Sequence, residues 1–212
     1  MTDLWSERAD AYRESAAHRE GRDLELMVEW AKGERALDVA TGGGHVARRL
    51  REAGFRVVTC DPAPGMQPDV ICRAEHIPFD EGSFDVVTCR VAAHHFDDPA
   101  AAMREMARVS RALVLVADNL YAGEAGEEAD RLRDPTHVRN YSEEEWRQLF
   151  EQAGLEMEAV EHEEKRIELE SWLSRPGCTG TEAKRVRELL VDRIEGRHLK
   201  LDRGIFKGRK SP

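Results

Sequence analysis

The chain has 212 residues, 41% hydrophobic and 35% charged, with a formal net charge of −10. That length holds one domain with a sizeable core and a helical cap. No apolar run approaches the ~20 residues of a membrane span, the start lacks the basic and apolar blocks of a signal peptide, and the acidic balance argues against a phosphate-backbone substrate. Cys60, Cys72, Cys89 and Cys178 show no C-x-x-C spacing. Three of them fall in or beside predicted parallel strands, so they read as reduced, buried thiols of a cytoplasmic protein.

Residues 1 to 33 are predicted to form two helices. Leu24, Met27, Val28 and Ala31 share one helical face, which packs on a sheet, and Gly33 is the stop. Trp5, Tyr12 and His18 suit a core less well and are candidates to cover a ligand.

Ala36 to Val39 is a short apolar run, interrupted only by Asp38, and reads as a buried strand. Thr41 to Gly44 is a glycine loop, and a helix starts at His45 with Val46, Ala47 and Leu50 on its apolar face. Strand, glycine turn and helix start together make a nucleotide site: glycine lets the backbone approach a ligand, and the helix end presents unpaired N–H groups. Gly42-x-Gly44-x-x-Ala47 fits the dinucleotide fingerprint, with Asp61 near the expected distance downstream. Asp38 argues otherwise, because a dinucleotide fold normally places an apolar side chain there. Inside a strand it needs a polar partner.

Phe55 to Cys60 is a second strand, ending at Asp61, where a carboxylate can accept from both ribose hydroxyls of a nucleoside. About eight residues rich in Pro and Gly lead to a third strand near Asp69 to Cys72, whereas a parallel crossover needs a dozen or more. The crossover helix is therefore expected to shrink to a turn. That leaves a sheet face for the N-terminal helices, or the second subunit of a homodimer, to cover. Ala74 and Glu75 follow, placed to meet an adenine edge.

Phe84 to Arg90 is a buried fourth strand, and His94-His95 lies beyond it at the mouth of the same cleft. Adjacent histidines at a helix start point in different directions, and no Cys or carboxylate completes a ligand set, so no metal is expected. One imidazole acting as general base or substrate anchor fits better, with a structural role open for either. Asp97-Asp98-Pro99 caps a helix from Ala100 to Ser110, and Ala112 to Ala117 is the fifth strand. Strands alternating with helices imply an open, doubly wound sheet with its ligand at the carboxyl ends of the strands. Residues 119 to 141 form a polar connection too long to be idle. Ser142 to Glu145 is a capping box for a helix bearing Trp146, Leu149 and Phe150, with Gly154 at its end. Leu155, Met157 and Ala159 alternate as a sixth strand, Glu161 to Arg166 reads as a solvated continuation, and helices follow near Glu168–Leu173 and Thr181–Ile194. A final strand near Leu201 to Lys207 completes the sheet.

Four stretches carry a resemblance: Leu-Asp-Val-Ala-Thr-Gly-Gly-Gly-His (37–45), Asp61-Pro-Ala-Pro-Gly-Met66, Ala74-Glu-His-Ile-Pro-Phe-Asp80 and Phe84-Asp-Val-Val-Thr-Cys-Arg-Val-Ala-Ala-His-His-Phe96. They resemble S-adenosylmethionine (SAM)-dependent class I methyltransferases similar to the ubiquinone/menaquinone C-methyltransferases, over residues 36 to 118. Asp134-Pro-Thr-His-Val-Arg-Asn-Tyr-Ser142 looks like a motif of an uncharacterised small-molecule branch of that family. The resemblance implies an α/β, Rossmann-like, doubly wound and mostly parallel seven-stranded sheet with helical N-terminal and C-terminal caps. It implies one methyltransferase domain, with 1–33 as helical cover, 34–118 as SAM-binding core and 119–212 as substrate-side connection, cap and final strands. By the same resemblance SAM is the cofactor, held by Asp38, Thr41, Gly42, Gly44, Asp61, Ala74 and Glu75, with the chain near Arg90 passing beside the sulfonium.

Ala40 replaces the first motif glycine, Arg108-Val-Ser-Arg-Ala112 lacks the usual Pro-Gly-Gly turn, and the Asn/Asp-Pro-Pro-aromatic motif of amino-directed nucleic-acid methyltransferases is absent after strand four. The expected reaction is in-line methyl transfer to a small-molecule acceptor. His95 is the catalytic candidate, and Tyr12, His137, Arg139 and Tyr141 are candidates for the substrate side. The alternatives are a SAM sensor or scaffold without turnover and, third, a nicotinamide dehydrogenase.

Overall fold

In the computed structural model, which describes residues 4–210, the chain opens with α1 (Leu4–Glu14), α2 (Ala16–Arg19) and α3 (Arg22–Trp30). Where two helices are expected there are three, because Gly21 interrupts the second at φ 145°; a Cβ there would fall 2.2 Å from Lys165 Nζ. The elements β1 (Arg35–Val39), α4 (His45–Glu52), β2 (Arg56–Asp61), β3 (Val70–Ile71), β4 (Phe84–Arg90), α5 (Pro99–Val109) and β5 (Ser110–Asn119) make the first half of the fold. The second half contains α6 (Glu124–Arg133), α7 (Glu143–Gln152), β6 (Leu155–Glu168), α8 (Leu169–Ser174), α9 (Gly180–Leu189), β7 (Ile194–Glu195) and β8 (His198–Lys210).

The described strands form one eight-stranded sheet in the order β3-β2-β1-β4-β5-β8-β6, with β7 paired to β8. β1 to β5 are parallel, and β8 runs antiparallel to both β5 and β6. The strand beyond the expected seven is β7, two residues that pair back onto the start of β8. Strand order reverses between β1 and β4, and that switch point opens a crevice at their carboxyl ends.

Alternation along the strands feeds two cores. Leu37, Val39, Val87 and Cys89 face one layer with Met103, Met106, Trp146 and Phe150 from α5 and α7. Ala36, Val86 and Leu115 face the other, against Leu24 and Met27 of α3 and Val46 and Leu50 of α4. Each fully buried Leu or Met contributes ~1.5–3 kcal/mol, so the α3 face anchors the N-terminal cover firmly. Asp98 caps α5, accepting from the Ala101 amide at 2.9 Å, and the Ser142–Glu145 capping box forms at α7.

The β2–β3 connection is a single 3-10 turn, Pro64–Met66, as its length implies. α1 lies over it: Ala9 packs on Ala63 and Met66, the Gly65 amide donates to Ser6 Oγ at 2.8 Å, and Arg13 Nη1 donates to the Gly65 carbonyl at 3.0 Å. The exposed face is thus covered within the chain. Residues 119–141 are not one loop, since α6 lies inside them. Its sequence hides this, because Ala129 and Leu132 are its only apolar anchors, packed on α8 and α9. β6 runs through the expected continuation to Glu168 along β8, and it is not solvated throughout: Lys165 and Ile167 are buried, and Glu163 accepts from the Asp23 amide at 3.1 Å. Among the described residues no helix is long and apolar enough to cross a membrane.

Candidate active site

The carboxyl ends of β1, β2 and β4 open into a cavity of about 520 Å³. Its floor includes Thr41, Gly42, Asp61, Ala74, Glu75 and Arg90. Trp5, Tyr12 and His18 cover one side, with His95 and residues 135–138 on the other.

The glycine loop is a run of left-handed residues, with Ala40 at φ 51°, Gly42 at 49° and Gly44 at 72°. A Cβ on Gly44 would meet nothing, so conformation and not space demands glycine there. Ala40 carries the strain that a motif glycine would avoid. Asp38 finds its polar partners inside the fold. Its Oδ2 accepts from Thr41 Oγ1 at 2.7 Å and the Ala47 amide at 3.2 Å, and its Oδ1 accepts from Thr88 Oγ1 at 2.9 Å. One carboxylate therefore ties β1, the loop, the start of α4 and β4 together. Burial pushes its pKa up to about 6 against those hydrogen bonds. Asp61 draws the loop onto β2 in the same way: Oδ2 accepts from the Gly42 amide at 3.0 Å, and Oδ1 from the Ala63 amide at 2.9 Å. Glu75 is held beside Ala74 by Arg73, which also pairs with Asp97.

Arg90 turns its guanidinium away from the loop and onto the cover. Nε and Nη2 clamp the two oxygens of Asp23 at 2.7 and 3.1 Å, and Nη1 donates to the His18 carbonyl at 3.0 Å. Arg203 Nη1 joins Asp23 at 2.6 Å. Burial disfavours the Asp23 anion, but the two guanidiniums outweigh it and hold the carboxyl well below its usual range. What faces the cavity after β4 is strained backbone. Val91 sits at φ 54°, an outlier for a β-branched residue.

The two histidines take different partners, although their rings stay in contact with centroids 4.1 Å apart. His94 is buried, its Nδ1 2.6 Å from Asp118 Oδ1 and its amide donating to Asp118 Oδ2 at 3.1 Å. Burial opposes its charge, but the Asp118 carboxylate prevails and raises its pKa. His95 lines the cavity, edge-on to Trp5 with ring centroids 4.6 Å apart. Its Nδ1 lies 2.9 Å from the Thr136 carbonyl, which only accepts, so Nδ1 carries the proton and Nε2 is the bare acceptor. Burial and the adjacent His94 cation push its pKa down, and the ring stays neutral.

The substrate-side candidates divide. Tyr12 and His137 line the cavity. His137 Nε2 is 3.2 Å from Glu127 Oε2, in a cluster with Asp130 whose acidic oxygens also accept from Asn140. Arg139 and Tyr141, expected beside them, are not in the lining. The amides of Val138 and Arg139 both donate to the His94 carbonyl, which turns the chain out of the cavity. Arg139 pairs with Glu145, and Tyr141 packs edge-on to Trp146 in the core.

Three participants went unread. His45 sits at the loop edge, Nε2 3.0 Å from the Tyr12 carbonyl and Nδ1 buried with no hydrogen-bond partner among the described residues; its place directly after Gly44 was the available signal. Val91 and Asp118 gave no signal, one being a matter of backbone angle and the other of tertiary pairing.

Residues 11–160 match the family model described as a methyltransferase domain. The chain is 32% identical over 208 residues to the uncharacterized methyltransferase YcgJ of Bacillus subtilis, covering 86% of this chain and 82% of that protein. The crystal structure of that YcgJ protein is similar with a TM-score of 0.81 at 26% identity, over 90% of this chain and 98% of the other. The chain is also 32% identical over 105 residues to the ubiquinone/menaquinone biosynthesis C-methyltransferase UbiE of Geotalea uraniireducens, covering 41% of this chain and 45% of that one.

Proposed function

The chain belongs to the class I SAM-dependent methyltransferases, and from that premise we propose that its methyl acceptor is a small molecule. The observation that carries this reading is the cover. Trp5, Tyr12 and His18 roof a cavity of about 520 Å³, a size suited to small ligands, and Arg90 locks that roof down through Asp23. The net charge of −10 speaks against a nucleic-acid backbone. Four free thiols suit a reducing, cytoplasmic setting.

SAM, when bound, supplies an electrophilic methyl group on a sulfonium. The residues present fit it. The amides at the glycine loop and the start of α4, with the partnerless Nδ1 of His45, offer donors and an acceptor for its amino-acid end. Asp61 suits the ribose hydroxyls, and Ala74 with Glu75 the adenine edge. Asp38, spent on Thr41, Thr88 and Ala47, shapes the loop from beneath.

His95 would meet the acceptor. A neutral Nε2 would accept a hydrogen bond from a hydroxyl, amine or acidic carbon of the acceptor and so orient the nucleophilic atom, whose own lone pair or carbanion would make the new bond to the methyl group as the sulfonium bond breaks. Because its pKa is pushed down, the ring keeps a proton poorly, so positioning and exclusion of water carry most of the rate. The proton leaves to solvent after transfer.

The test is a transfer assay with methyl-labelled SAM and a cell extract, divided into dialysable and retained fractions. Label in the dialysable product supports the reading. Label found only in protein or nucleic acid overturns it.

A further inference from the structure

Sequence spacing speaks against a metal at His94 and His95, but tertiary packing gathers a donor set elsewhere. Among the described residues, Glu127, Asp130 and His137 bring ligand atoms within 4.8 Å of one another. Glu127 and Asp130 stand three apart in α6, on one helix face. Past the helix, the His137 amide donates to the Asp134 carbonyl at 3.0 Å, and this turn folds the imidazole back onto α6. His137 Nε2 lies 3.2 Å from Glu127 Oε2. Glu127 Oε1 accepts from the Asn140 amide at 3.0 Å, and Asp130 Oδ2 accepts from Asn140 Nδ2 at 2.7 Å.

Two observations point from this cluster to a ligand. The first is charge. Glu127 and His137 are buried and Asp130 is half-buried, while Arg131, the arginine in ion-pair reach, is half exposed with Nη1 3.7 Å from Glu127 Oε2. Two interior carboxylates thus share one imidazole and one loosely held surface cation, and like charges so placed repel. The second is Asn140, 3% exposed, whose Oδ1 is buried with no hydrogen-bond partner among the described residues. Its amide is already seated on Asp130. A half-turn brings Oδ1 against that carboxylate, and two acceptors stand together there only with a cation between them.

We propose that Glu127, Asp130 and His137, joined by Asn140 Oδ1, bind a divalent first-row transition cation, zinc or manganese. The donors are one imidazole, two carboxylates and an amide oxygen, without a thiolate. Imidazole suits zinc, and carboxylate or carbonyl oxygen suits manganese, whereas magnesium keeps its waters in preference to such a cage. Around a tetrahedral ion with bonds of about 2.0–2.2 Å the donors lie about 3.3–3.6 Å apart, so the set closes by small side-chain movements. Nε2 faces an acceptor and carries a proton, which leaves to solvent when the ion takes that lone pair. An ion there pins α6 to residues 135–138 of the cavity wall, among them Thr136, whose carbonyl orients His95. Such a site is independent of the identity of the methyl acceptor.

The test is calorimetry on the full chain after dialysis against EDTA, titrated separately with zinc, manganese and magnesium at fixed ionic strength. One equivalent of zinc or manganese should bind at least about tenfold tighter than magnesium, and the tighter ion names the metal. Glu127→Gln and Asp130→Asn should each weaken that ion by about 100-fold or more, since loss of a mere partner of a metal ligand already costs about 10- to 100-fold. Both should leave S-adenosylhomocysteine affinity within about twofold, which reports folding. No stoichiometric binding overturns the proposal. So does equal binding of all three cations, which marks the acidic surface, or undiminished affinity in both variants, which marks the thiols or another site. If neither variant folds, the imidazole nitrogen resonances of His137 in the wild type decide: they must move when zinc is added, and unmoved resonances overturn the proposal.

Discussion

Arg90, at the end of β4, grips Asp23 of α3 with both guanidinium edges at 2.7 and 3.1 Å, and both side chains are almost completely buried. This pair joins the floor of the site to its roof. With Arg203 it makes a cluster of two cations on one carboxylate, so Asp23 is the residue that cannot be lost. Asp23→Asn should destabilise the chain by ~3–5 kcal/mol, the usual effect of leaving buried charges unpaired. Urea unfolding measures this, and a change below ~1 kcal/mol would show that the roof does not depend on the pair. The Asp23 pKa is depressed, so this stability is present above the ordinary carboxyl pKa and is lost only as acid reaches the lower folded value.

Asp38 has the opposite sign. Its folded pKa is about 6, raised from 3.8, so the native state holds the extra proton. That contribution is full below about pH 4 and is lost as the pH rises to about 6. The difference of roughly two units corresponds to up to ~3 kcal/mol. Asp38→Asn keeps an acceptor for Thr41 and Ala47 without the titration. Relative to wild type, the variant should therefore gain stability between pH 4 and 7. Parallel unfolding curves for the two proteins across that range would rule this out.

Strain at the loop yields a third expectation. Ala40 holds φ 51° where glycine would be unstrained, at a cost of ~1–2 kcal/mol partly offset by the lower entropy of unfolded alanine. Ala40→Gly should raise stability by ~0.5–1 kcal/mol, or ~1–4 °C in Tm for a chain of this size. A lower Tm by scanning calorimetry would contradict it.

Much of the fold was legible because its signals are local. The apolar runs at Ala36, Phe84 and Ala112, the glycine punctuation, the Asp98 and Ser142 caps and the short Asp61–Asp69 link each determine nearby structure, and each appears close to its expected place. Asp38 was legible as an anomaly, a carboxylate in a strand that needed partners. α6 was not legible, because a helix with two apolar anchors has no readable stripe. The outward turn of Arg139 and Tyr141 was equally hidden. It depends on the His94 carbonyl, more than forty residues away, accepting two amides. Pairings across the fold, such as His94 with Asp118 and Arg90 with Asp23, leave no local trace.

The sharpest expectation concerns His95. Its Nδ1 proton is committed to the Thr136 carbonyl, and its Nε2 meets the cavity as a neutral acceptor. His95→Ala should leave S-adenosylhomocysteine affinity within about twofold and lower single-turnover methyl transfer by ~10- to 100-fold, the value of one hydrogen bond to a reacting group. A loss approaching ~10⁴-fold would instead mark full proton transfer to the ring. The pH profile separates these further. Burial and the His94 cation lower the His95 pKa, so kcat/KM should show no fall near pH 6.5, where an ordinary imidazole protonates. His94→Ala is the contrasting variant. It strands the Asp118 carboxylate and removes the His94 charge, which stabilises the fold below the ordinary histidine pKa and is lost as the pH rises through its raised value. That variant should lose stability by ~3–5 kcal/mol, and its His95 pKa should rise. Equal destabilisation by the two substitutions, with S-adenosylhomocysteine affinity falling in both, would make His95 a structural residue and remove it from the reaction.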